Sequence, residues 1–90
     1  MTDTIRLDAD RIKYKESMAA YMDEIFCFPE YFGRNLDALA DLLSEVETET
    51  VIEIDHLNLA KICLSDYAYK TLKVLINAAE DNHCIVIRLI

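Results

Sequence analysis

Ninety residues with 53% hydrophobic and 29% charged side chains suffice for one folded domain, residues 1–90, and do not fit a disordered chain. Seventeen acidic against nine basic residues give a net charge of −8. That excess argues against nucleic acid and anionic membrane as partners, since both are held by clustered Lys and Arg, and it favours basic proteins.

The opening TIRLD alternates as a short strand does. From Asp10 a helical period takes over. At about 100° per residue, Tyr14, Met18, Tyr21, Met22, Ile25 and Phe26 share one face, with Lys13, Glu16, Ser17, Asp23 and Glu24 opposite. Pro29 is expected to end this helix, because the residue before a proline is pushed out of the α region. After the loop EYFGR, Asn35 is placed to cap a helix over residues 36–46. VIEID (51–55) predicts a second strand, HLNLAKIC a short helix, and Ser65 the cap of a longer helix over 66–81. The inner stripe of that last helix is expected to be Ala68, Tyr69, Leu72, Leu75, Ile76 and Ala79. CIVIRLI closes the chain as an almost continuous apolar run, the pattern of a strand covered on both faces. The order β-α-α-β-α-α-β predicts an α/β fold: a small three-stranded parallel sheet with about four helices packed on it and right-handed crossovers.

Little enzymatic chemistry is visible. One glycine excludes the glycine-rich loops that cradle phosphates. His56 and His83 lack metal-ligand spacing with each other or with the cysteines, and nothing in the spacing favours a Cys–His catalytic pair. Cys27, Cys63 and Cys84 fit no metal or redox spacing and are expected as buried or partly buried free thiols in a reducing compartment. No apolar run is long enough to cross a bilayer. MTDTIRLDADR does not have the pattern of a secretory signal, so a cytoplasmic protein without cofactor or metal is expected.

The helix after the loop is the informative element. Leu36, Leu39, Leu42, Leu43 and Val46 form its apolar stripe, and Asp37, Asp41 and Glu45 recur at i,i+4 on the opposite arc. Like charges at this spacing destabilise a helix by about 0.2–0.5 kcal/mol per pair, and a carboxylate near the C-terminal end opposes the dipole. Helix stability therefore does not account for the ridge. An outward face of an acidic protein can carry such a ridge without any function. As a site, solvated acids on successive turns suit guanidinium binding better than general acid–base catalysis, which needs a pocket that raises one pKa.

The only proline and the only glycine both fall in FPEYFG, residues 28–33. Pro29 restricts entry to the loop, and Gly33 permits a positive φ or a close backbone approach before the helix. Phe28 and Phe32 suit the edge of the core. Tyr31 suits two roles equally, an interface anchor with a polar tip or a ring over the domain's own core.

FPEYFGRNLDALADLL closely resembles the motif segment of the barstar family, intracellular inhibitors of barnase-type ribonucleases. The family pattern there is Pro-Glu-Tyr-aromatic-Gly, one residue, Asn-Leu-Asp-Ala-Leu, one residue, Asp. The match is dense over residues 28–43, and length, acidity, element order and a cysteine before the closing strand agree with it. The resemblance implies an inhibitory face, built from the loop and the second helix, that plugs a ribonuclease active site. By position, Tyr31, Asn35, Leu36, Asp37 and Asp41 match family contact residues, and Glu45 extends the same ridge. Asp41 matches the acid that occupies the enzyme's phosphate site, and Asp37 a second acid that pairs with basic residues at its rim. A monomeric inhibitor in a 1:1 complex with a basic ribonuclease, with an immunity or antitoxin role, is implied. The chain departs from the family at Ala40 and Val46, where a relative has tryptophans, at Ala78, where it has a glutamate, and at Arg34, where it has an acid. A different ribonuclease, or a basic partner that is not a nuclease, is compatible with these departures.

Overall fold

The computed structural model describes residues 3–28 and 33–90. Strand β1 (Asp3–Arg6) leads through a 3-10 turn (Ala9–Arg11) to α1 (Lys15–Phe26) and α2 (Leu36–Leu43). Strand β2 (Thr50–Ile54), α3 (His56–Cys63), α4 (Asp66–Asp81) and β3 (Ile85–Leu89) follow. Among the described residues the three strands form one parallel sheet in the order β1-β2-β3, and four α-helices accompany it, the expected α/β fold.

Register explains how the sheet is used. Alternate residues of a strand point to opposite faces. Ile52, Ile54 and Ile85 fall on the face that joins Met18, Met22, Leu39, Leu43 and Leu75 in one buried cluster. The other face carries the row Thr4–Val51–Val86 and the row Arg6–Glu53–Arg88. Glu53 lies between its neighbours, 3.9 Å from Arg6 and 3.3 Å from Arg88. The helices thus pack against a single face. CIVIRLI is consequently not covered on both sides: Val86, on the outer face, is 44% exposed. As an edge strand, β3 buries only the side that turns Ile85 and Ile87 to the core.

The first helix is shorter than its apolar period suggests. Asp8 accepts the Asp10 N–H at 3.0 Å and caps the 3-10 turn. The chain is then extended at Tyr14 (φ −130°, ψ 151°), so α1 begins at Lys15 and Tyr14 is exposed. Tyr21 makes the link to the sheet: its hydroxyl donates to the Arg6 carbonyl at 3.2 Å and accepts the Asp8 N–H at 3.0 Å. At its far end α1 stops at Cys27, which adopts a left-handed conformation (φ 54°, ψ 52°) with its N–H on the Asp23 carbonyl. The stop therefore precedes Pro29, which lies outside the described residues.

Ser65 caps α4 as expected, accepting the Ala68 N–H at 3.3 Å. The buried stripe of α4 is rotated from the expected one: Thr71 and Ala78 are inside, while Tyr69 and Ile76 face solvent. Thr71 can be buried because its hydroxyl donates to the Tyr67 carbonyl at 3.0 Å. Cys27 and Cys63 are exposed and only Cys84 is partly covered. The expectation of buried or partly buried thiols fails at the first two, which sit at the ends of α1 and α3. None of the described helices is long and apolar enough to cross a membrane.

Candidate functional site

Helix α2 is amphipathic, with Leu39, Leu42 and Leu43 buried and Leu36 partly buried against the core. Its start is fixed by Asn35, whose Oδ1 accepts the Ala38 N–H at 2.7 Å and whose Nδ2 donates to the Gly33 carbonyl at 3.3 Å. A cap of this kind stabilises a helix by about 1 kcal/mol. Asn35 therefore shapes the site as a cap, and Leu36 anchors it to the core.

Asp37 and Asp41 stand one turn apart on the exposed face. Among the described residues neither carboxylate has a hydrogen-bond or ion-pair partner. Asp41 borders a surface depression formed with Gly33, Ala38, Leu42, Ser44 and Glu45. The depression exists because two small residues meet there: a Cβ on Gly33 would lie 3.2 Å from that of Ala38. Close approach is thus what this glycine provides. The positive φ of the turn, 56°, belongs to Arg34 instead.

The ridge is not one continuous helical row. α2 ends at Leu43, short of the expected residue 46, and Glu45 lies in the following turn with its N–H on the Leu42 carbonyl. Glu45 still borders the depression beside Asp41, carried there by the turn. The helix ends early because Asn82, from the α4–β3 junction, donates its Nδ2 to the carbonyls of Leu43 at 3.0 Å and Val46 at 2.8 Å. Its Oδ1 accepts the Cys84 N–H at 3.0 Å. This side chain supplies partners that the end of a helix otherwise lacks, and no local pattern in the sequence points to it. Tyr31 lies outside the described residues.

Ala40 and Ala78 line one small cleft between α2 and α4, of about 130 Å³, together with Asp81. Asp81 is the acid among the described lining residues of this cleft. Among the described residues no three His, Cys, Asp or Glu side chains gather as a metal site.

An outward acidic helix held at both ends can present carboxylates to cations without rearranging, the arrangement suited to a preorganised protein interface. No curated protein sequence matches the chain. A family model described as Barstar (barnase inhibitor) matches residues 2–89. That match runs far beyond the motif segment and agrees with the parallel sheet and its helices, and the chain belongs to the barstar family.

Proposed function

We propose that this chain is a stoichiometric inhibitor of a basic, barnase-type ribonuclease and blocks the enzyme's substrate site with the exposed face of α2. The observation that carries this is the pair Asp37 and Asp41, exposed and without a partner among the described residues, in a chain of the barstar family. A ribonuclease must hold phosphates with Arg, Lys or His, and two carboxylates on successive turns offer the same groups a comparable charge. Asp41 enters the phosphate site, Asp37 meets basic residues at the rim, and Glu45 extends the contact along the depression. Tyr31 adds an aromatic contact from the loop. The chain works unmodified, without cofactor, in a 1:1 complex, and inside the cell, as immunity against a toxic ribonuclease requires.

The test compares inhibition of barnase, or of a ribonuclease captured from the source lysate, by variants of equal charge change. Asp41→Ala is expected to weaken inhibition about 30-fold or more, the ~2 kcal/mol level of an interface hot spot. Glu16→Gln, on the exposed side of α1, is expected to change it less than about twofold. Equal losses in the two would remove the α2 site. The cleft at Ala40 and Ala78 favours a second reading, a basic partner that is not a nuclease. A captured partner that binds through Asp41 but does not cut RNA would establish it.

A further inference from the structure

Between the end of α1 and the α2–β2 connection lies an open cavity of about 410 Å³. Its apolar wall includes Phe26 and Phe28, whose rings stack with centroids 5.4 Å apart, and Val46. Its rim carries the carboxylates of Asp3, Glu45 and Glu47, and no lysine or arginine is among its described lining residues. Helix α1 also terminates here, at Phe26, with no basic residue in its last turn. Such an end presents the negative pole of a helix, equivalent to about half an elementary charge, where a cation is normally favourable. Apolar walls of this size fit an alkyl stem, and both the rim and the helix end favour a positive head.

We infer that this cavity receives an alkyl-stemmed cation, and that its occupant is a lysine or arginine side chain of the protein that covers α2. The cavity shares Leu42 and Glu45 with the depression beside Asp41, so a partner seated on α2 reaches it without a break in contact. Long basic side chains lay their methylenes on apolar surface and keep the charge at the rim, and a guanidinium also stacks on aromatic faces. That the occupant belongs to a ribonuclease rests on the proposed function; the preference for a cation does not.

The preference is tested on the isotope-labelled full chain by NMR titration with n-butylguanidinium and its neutral isostere n-butylurea. The cation is expected to shift the amides of Phe26, Cys27, Phe28, Val46 and Glu47, and the urea to bind about fivefold more weakly or worse. Asp3→Asn with Glu47→Gln, both outside the α2 ridge, should lower affinity for the cation several-fold, and Val46→Trp, which fills the space, should abolish its binding. Equal binding of the urea, no shifts at these amides, or unchanged affinity in the double variant would overturn the inference. With a ribonuclease inhibited through Asp41, Asp3→Asn with Glu47→Gln should speed dissociation several-fold; unchanged dissociation would remove the partner side chain as occupant. If the wild-type chain inhibits no ribonuclease, the named occupant falls with that reading, while the titration decides the cation preference separately.

Discussion

The carboxylates around β1 and α3 and those along α2 keep different company. Asp10 holds Lys13 at 2.9 Å and Lys61 at 3.1 Å. Glu53 lies between Arg6 and Arg88, and Glu24 pairs with Arg11. Along α2 and the turn after it, Asp37, Asp41 and Glu45 have no such partner among the described residues. The primary structure arranges this: no lysine or arginine occurs between Arg34 and Lys61, while that stretch carries seven acids. The lesson is that net charge says less than its distribution. Among the described residues six of the nine bases pair with acids elsewhere, and the acids of α2 are left without such a partner on an element whose two ends the fold fixes.

If the field of α2 depends on those fixed ends, freeing one end of the helix should have the largest effect on stability. Asn82→Ala removes both hydrogen bonds to the Leu43 and Val46 carbonyls. It is expected to cost about 1–3 kcal/mol in urea unfolding and to weaken inhibition as well. Loss of stability with inhibition intact would show that the acids do not need a fixed helix. A smaller change of opposite sign is expected from Asp41→Asn. It relieves repulsion from Asp37 one turn away and an unfavourable charge in the last turn of α2, so stability should rise by about 0.2–0.5 kcal/mol while inhibition falls. A stability loss would mean that Asp41 has a structural partner after all.

The smallest effect separates the paired acids from the unpaired ones by pH. Side-chain hydrogen bonds and the charges of Lys13 and Lys61 hold the Asp10 carboxyl below its ordinary value of 3.8. Because the folded value is the lower one, its contribution is fully present above about pH 4 and is lost as pH falls through the folded pKa. Asp10→Asn should therefore lower the neutral plateau of a stability–pH profile slightly, flatten its acid limb below about pH 4, and meet the wild type in strong acid. The difference should fade with added salt, since the pair is exposed. An unaltered acid limb at low salt would show that these contacts do not persist in solution.

The elements legible in the primary structure were those with local causes. Asn35 and Ser65 announce the starts of α2 and α4 by side-chain capping, and Asp37 and Asp41 share a face by spacing alone. Features with distant causes were not legible. The end of α2 is set by Asn82, far along the chain. Tyr14 follows the apolar period of α1 but lies in an extended residue that caps it. Nothing in CIVIRLI records that β3 is an edge strand whose second face meets solvent. The cavity by Phe26 and Phe28 draws its walls from β1, α1, α2 and the start of β2, so no motif could have shown it. The loop residues Pro29 to Phe32, conspicuous as sequence, lie outside the described residues.

The bare face of the sheet has a consequence for life in a crowded solution. Two of its three strands are edges, with unpaired backbone that could recruit other chains. Here those strands are only four and five residues long, and each places an arginine, Arg6 or Arg88, on the uncovered side. Tethered to the single carboxylate of Glu53, the two arginines form a charged bar across all three strands. Stacking a second sheet on this surface would bury that bar. The same row that looks like a modest surface ion-pair set therefore disfavours the stacking of a second sheet on this face.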